Sequence, residues 1–271
     1  MRILHALMLL LAGLPGLAQE AKTPPNKAQE LVEKAVAALG GEAYLNVTGY
    51  IRTGRIYSFS RGELASAGAV FTEYAKYPDK SRMEYYRNRS IIQVNNGDEG
   101  WELDTQGVRE QTPESIRDFK ESVKRDIDFL LRARRTEPGM QFYYLGSQFL
   151  DNRRVEVVEM VDAENESLVL YLDAETHLPL RLRYRERDEL TREMVEVVEY
   201  YGIYIDFDGV RSPRQITRER ARIRVFEATE LKVDFKAPIA EELFTRESLE
   251  ARWQEIGKKE KKKKKKDEEE P

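Results

Sequence analysis

The sequence predicts a mainly β fold: one wide, curved antiparallel sheet with helices laid against its hollow side. Three observations predict it. Apolar residues recur at every second position over most of the chain between Val47 and Phe235. Turn signals punctuate that stretch at short intervals, as at Pro78-Asp79, Asn96-Gly97 and Asp208-Gly209. A single amphipathic helical pattern interrupts the strands near the middle. About ten or eleven strands are expected, and a sheet that wide has to curl.

The chain has 271 residues, 41% apolar and 35% charged, enough for one large all-β domain. Its net charge of −4 argues against a nucleic-acid-binding surface. It has no cysteine, so packing rather than disulfides must hold the fold, which suits a bacterial periplasm better than a small disulfide-stapled domain.

The first 18 residues read as a signal peptide. Arg2 gives the positive start, Ile3 to Leu14 the apolar run, and Gly16-Leu17-Ala18 the small residues of a cleavage site near Ala18. The expected location is therefore periplasmic or secreted. Residues 19–45 read as a polar linker and an N-terminal helix. Asn26 and Gln29 have the spacing of a capping box, Leu31, Val32, Ala35, Val36 and Leu39 form one stripe, and Gly40-Gly41 stops it.

Residues 46–244 form the strand domain. Ile51, Thr53, Tyr57 and Phe59 alternate in a first strand. Val70–Tyr77, the Met83/Tyr85 segment, Ile91–Val94 and the Trp101/Leu103 segment follow. Thr112-Pro113 then caps a helix whose apolar face is Ile116, Phe119, Val123, Ile127, Leu130 and Leu131. Strands resume at Phe142 and Tyr144, and continue through Val155–Glu159, Leu168–Leu172, Leu180–Tyr184, Glu193–Ile205, Gln215–Arg220 and Arg222–Phe235. Residues 245–271 read as a final helix past Trp253, then a Lys-rich and acidic tail. That tail is a solvated, self-neutralising end or a contact for an anionic membrane surface.

Four stretches, taken in order, resemble the bacterial outer-membrane lipoprotein carrier family (LolA/LolB-like). They are Tyr77–Glu84 with Asn96–Asp104, then Leu172–Leu180, Asp206–Pro213 and Val233–Ile239. The resemblance implies an eleven-stranded half-barrel closed by a helical lid, with a cavity for acyl chains. In the carrier proper an Arg precedes the Pro of the first motif and latches the lid. Tyr77 holds that position here, so the chain reads as a divergent member.

No catalytic, metal or cofactor motif stands out. His177 is the one histidine after the signal peptide and lies in a turn pattern, and a metal site needs several clustered ligands. Paired acids such as Glu186 and Asp188 leave a two-carboxylate hydrolase as a remote alternative. Fourteen Tyr and ten Phe suit either ordinary strands or the wall of an amphipathic cavity. The expected cavity wall is Tyr57, Phe59, Phe71, Met83, Tyr85, Val94 and Trp101. The expected lid, or plain core helix, is Ile116, Phe119, Val123, Ile127 and Leu130. The expected function is non-enzymatic holding of an acyl chain, lipid or lipoprotein, with peripheral membrane contact open. The alternative is a periplasmic sensor or interaction module for a regulatory or membrane protein.

Overall fold

The computed structural model describes residues 26–65, 67–85, 91–188 and 191–269. The expected signal peptide and the linker up to residue 25 lie outside the described residues.

Helix α1 (Lys27–Leu39) starts where the capping box places it. The Gln29 amide donates to Asn26 Oδ1 at 3.0 Å, and the Asn26 amide to Gln29 Oε1 at 3.1 Å. Gly40 ends it at φ 132°; a Cβ there would lie 2.3 Å from the Gly209 carbonyl oxygen, so only glycine fits. A one-turn helix, α2 (Glu42–Leu45), then buries Tyr44.

The first strands are β1 (Gly49–Ser60), the short β2 (Glu63–Leu64), β3 (Ala69–Lys76), β4 (Lys80–Tyr85), β5 (Ile91–Asn96), β6 (Glu99–Asp104) and β7 (Gly107–Glu110). Two helices follow, α3 (Pro113–Arg125) and α4 (Ile127–Arg132). The remaining strands are β8 (Gln141–Leu150), β9 (Arg153–Val161), β10 (Ser167–Asp173), β11 (Pro179–Arg187), β12 (Met194–Phe207), β13 (Val210–Arg220) and β14 (Ile223–Asp234), before helix α5 (Arg246–Glu269). The sheet has fourteen strands, more than the ten or eleven expected; β2 and β7 in particular are too short to show a period.

All pairings are antiparallel, in the order β7-β6-β5-β4-β3-β1-β14-β13-β12-β11-β10-β9-β8, with β2 on β1. The sheet is open, a half-barrel with β7 and β8 as its edges. Topology explains the mid-chain helices. The chain must pass from one edge, β7, to the opposite edge, β8, and α3 and α4 make that crossing over the inner face.

Cross-strand partners share a face, so the register sorts the side chains. Leu170, Leu182 and Glu199 lie in line on β10, β11 and β12. Arg52, Glu73, Met83 and Gln93 lie in line on β1, β3, β4 and β5. Both lines face inward. Helices α1 and α4 cover one half of the inner face: Leu31, Val36, Leu130 and Leu131 pack with Met160, Leu168, Leu170 and Leu182 in the largest core. Each buried aliphatic side chain there contributes about 1.5–3 kcal/mol.

The outer face is covered at the other end. Helix α5 and the 3₁₀ turn Glu241–Phe244 bury Phe244 and Leu249 against Ile92, Val94 and Leu103. Buried Arg82 fastens them, donating to the Leu243 carbonyl at 3.1 Å and to Ser248 Oγ at 2.9 Å.

Candidate functional site

The inner face of β1, β3, β4, β13 and β14 lies outside the core formed with α1 and α4. Phe71, Ala228 and Leu231 are buried there, with half-buried Ile56, Met83, Tyr85, Ile216 and Phe226 around them. Two residues along β1 and β3 from Ile56's neighbour Gly54 and from Phe71, the same face turns polar at Arg52 and Glu73. Arg52 pairs with Glu73 at 3.0 Å and donates to the Tyr50 hydroxyl at 2.5 Å. Across the hollow, Arg218 on β13 donates to Glu199 on β12 at 2.8 Å, and the Tyr201 hydroxyl donates to the same carboxylate at 2.7 Å. The hollow is therefore amphipathic, not simply apolar: a hydrophobic floor beside buried ion pairs.

The register divides the expected wall residues. Phe71, Met83 and Tyr85 come together on the floor. Val94 and Trp101 are paired with each other on the outer face, beneath α5. Tyr57 and Phe59 point to the outer side of β1, opposite in parity to Ile56. There Phe59 lies under the Arg224 guanidinium at 5.6 Å. The signal missed in the sequence was charge at an inward position: Glu199 sits between Val197 and Tyr201 on the apolar parity of β12.

The expected lid is two helices with different roles. Asp126 breaks them apart, with extended backbone and a carboxylate that accepts from the Phe129 amide at 2.8 Å, capping α4. Ile127 and Leu130 belong to α4 and are core. Helix α3 buries none of its residues; Ile116, Phe119 and Val123 are half-covered. Its N-terminal half sits close on β6, where a Cβ on Gly100 would lie 3.1 Å from Ile116 Cγ1. Ion pairs hold its ends. Lys120 contacts Asp98, Lys124 reaches Glu164 at 3.3 Å and Arg125 reaches Glu166 at 2.5 Å. The outer pairs of this kind contribute about 0–1 kcal/mol each.

Between the α3–α4 junction and the sheet lies a pocket of about 170 Å³, lined by the Arg52–Glu73 and Arg218–Glu199 pairs, Tyr50, Tyr77 and Asp126. Burial, and then the charge of Asp128, push the Asp126 carboxyl up to about 7. On the other flank of α3 a broader groove of about 1260 Å³ opens between the helix and β11–β13. Its walls carry alternating acids and arginines, such as Arg220 with Glu186 and Asp188 at 2.7 and 2.8 Å.

Tyr77 closes the pocket beside α4. Its hydroxyl accepts from Arg132 Nη1 at 2.6 Å, and its ring stacks on Phe129. The helix supplies the arginine of this contact and the sheet the acceptor.

Solved structures share this architecture. A DUF1329 family protein from Desulfovibrio piger superposes with TM-score 0.59 at 14% identity, over 83% of this chain and 100% of its own. A LolA superfamily protein from Nitrosomonas europaea gives TM-score 0.53 at 13% identity, over 82% of this chain and 99% of its own. The fold is that of the LolA superfamily. A domain assigned to outer membrane lipoprotein sorting in Vibrio parahaemolyticus shows the same LolA-like half-barrel, with TM-score 0.54 at 12% identity, over 83% and 98% of the two chains. No protein-family model and no curated protein matches the sequence.

The LolA-like hollow holds no group of metal-ligating side chains among the described residues. His177 sits at φ 60° in the β10–β11 turn, where its amide donates to the Asp173 carbonyl. No helix among the described residues is long and apolar enough to cross a membrane.

Proposed function

We propose that this chain is an exported binding protein that holds an amphipathic, lipid-like ligand in the inner hollow and performs no chemistry on it. One observation carries the reading. A half-covered apolar floor (Ile56, Met83, Tyr85, Ile216, Phe226) adjoins buried ion pairs, and the helix crossing it, α3, has no buried residue. A helix seated so weakly can yield its place to a ligand. Export rests on the signal-like residues 1–18. The Vibrio domain of similar fold, assigned to lipoprotein sorting, is consistent with an acylated ligand.

The energetics agree. Burial gives about 0.8 kcal/mol per methylene, so eight to ten methylenes give roughly 6–8 kcal/mol, near a micromolar complex before α3 is displaced. Purification without detergent followed by native mass spectrometry tests the reading, together with uptake of a fluorescent fatty acid. Bound lipid or saturable uptake is expected. A bare chain mass with no uptake would overturn it.

A second reading has its own observation. The free edge β8 runs ten residues, Gln141 to Leu150, without one charged side chain, and exposes Tyr143, Leu145 and Phe149. Such an edge accepts an extended segment of a protein partner. Capture of a partner that Leu145→Lys abolishes, with lipid binding unaltered, would favour this reading over the first.

A further inference from the structure

The pocket under the α3–α4 junction has a charge imbalance that the apolar floor does not explain. Its inward-facing charged groups are two arginines and three carboxylates. Arg52 is committed to Glu73 and Arg218 to Glu199. The third carboxylate, Asp126, lines the same pocket. Its one hydrogen bond among the described residues is from the Phe129 amide, and no cation among them stands within ion-pair distance.

The other nearby cations are spoken for. Lys76 and Lys80 line the rim with their stems, but both ammonium groups turn to Glu241 on the outer side. Arg132 pairs with Asp128 at 3.7 Å and lies over the Tyr44 ring at 4.2 Å and the Tyr77 ring at 5.0 Å. That neighbouring cage shows the local surface already holding one cation on aromatic faces.

Part of that chemistry recurs in the pocket walls. Tyr50 already lies under Arg52 at 4.6 Å and Tyr77 under Arg132, but Phe119 and Phe129 line the pocket with no cation over their rings among the described residues, and Asp126 supplies the counter-charge. The space, about 170 Å³, fits a small head group and not a chain. The chain's place is the floor next to it, two residues along β3 at Phe71.

We propose that this pocket receives a positively charged head group, an organic ammonium, from the amphipathic ligand whose chain lies on the floor. The proposal rests on the amphiphile reading of the hollow and names the chemistry of the ligand's head. Asp126 is the residue that discriminates: it gives an ammonium its counter-ion, offers a neutral head no more than a hydrogen-bond acceptor and repels a carboxylate. Because Asp126 otherwise holds a proton up to about pH 7, an entering cation replaces that proton. Binding of the cation therefore tightens as pH rises and releases a proton below that value. The groups facing Asp126 set this balance: Asp128 and Glu199 favour the proton, and Arg52 opposes it.

Three probes with the same dodecyl chain separate head from chain: dodecyltrimethylammonium, dodecyl maltoside and dodecanoate, titrated calorimetrically below their micellar concentrations. At about pH 8 the cation is expected to bind about tenfold more tightly than either of the others. That advantage should shrink toward about pH 6, with proton release seen as a dependence of the heat on buffer. Asp126→Asn keeps the oxygen that caps α4 and should bring the cation down to the affinity of the maltoside. If maltoside and dodecanoate bind and the cation has no advantage at either pH, the head-group proposal is overturned while the amphiphile reading stands. If none of the three binds, the amphiphile reading itself fails. Tetramethylammonium, the head without a chain, should bind far more weakly than the full probe; equal affinity would assign the pocket to a free amine and overturn the amphiphile head.

Discussion

Arg132 of α4 donates to the Tyr77 hydroxyl at 2.6 Å, while its Nε and Nη2 are buried with no hydrogen-bond acceptor among the described residues. The hydroxyl is thus a large part of what satisfies this guanidinium. Tyr77→Phe should cost about 1.5–3 kcal/mol, the range for a hydrogen bond to a charged group. Urea unfolding followed by circular dichroism measures it. Adding Arg132→Met removes a guanidinium whose Nε and Nη2 have no hydrogen-bond acceptor and should recover part of the loss, less what Asp128 forfeits with its partner at 3.7 Å. A doubly substituted protein less stable than Tyr77→Phe alone would show that the aromatic cage, not the hydroxyl, holds the arginine.

The two helices of the crossing should part company in hydrogen exchange. Helix α4 is anchored by Ile127, Leu130 and Leu131 in the main core, whereas α3 is held by ion pairs such as Lys120–Asp98 and Lys124–Glu164 at exposed side chains. Salt screens exposed pairs and leaves apolar burial intact. Raising the salt concentration should therefore speed amide exchange in residues 113–125 and leave 127–132 protected. Equal protection in both segments at all salt concentrations would remove α3 as the mobile element.

How far the sequence revealed this depends on the element. Asn26 with Gln29 and Thr112 with Pro113 placed two helix starts to the residue, because caps are local chemistry written in adjacent side chains. The sheet was legible through alternation. The face was not: Tyr57 and Phe71 are both aromatic strand residues, yet they fall on opposite faces, and only the register between β1 and β3 decides that. Asp126 was invisible for a different reason. The apolar period runs through it unbroken from Ile116 to Leu131, and the break comes from its carboxylate competing for the Phe129 amide. Arg52 and Glu73 were hidden by distance, being 21 residues apart and neighbours only once β1 and β3 pair.

Asp126 makes a stability prediction with a definite sign. Its folded-state carboxyl is pushed up to about 7, above the ordinary aspartate range, chiefly through burial. The folded protein therefore binds the proton more strongly than the unfolded chain. This residue's contribution is favourable at low pH and is lost as pH rises between about 4 and about 7, then stays level. Other carboxylates shift the opposite way, so the difference between two proteins isolates it. Asp126→Asn should gain stability relative to the wild type across that interval, measured by chemical denaturation at stepped pH. Parallel curves for the two proteins would show that Asp126 is solvated in the folded state.

The two faces of the N-terminal half-sheet should separate stability from binding. Trp101 packs beneath α5 with Val94, Leu103 and Phe244 on the outer face. Trp101→Ala removes apolar contacts and opens space there, so it should cost about 3 kcal/mol in unfolding and leave uptake of a fluorescent fatty acid unchanged in the folded protein. Tyr85 lies half-buried on the inner floor with Phe71 and Met83, close enough to Glu73 for its hydroxyl to feel that charge. Tyr85→Glu puts a second carboxylate beside the first on a surface that would carry methylenes. A chain laid across it would have to desolvate that charge, so uptake should fall at least tenfold with a smaller loss of stability than Trp101→Ala. The reverse pattern, with Trp101→Ala abolishing uptake and Tyr85→Glu sparing it, would move the ligand to the outer face under α5.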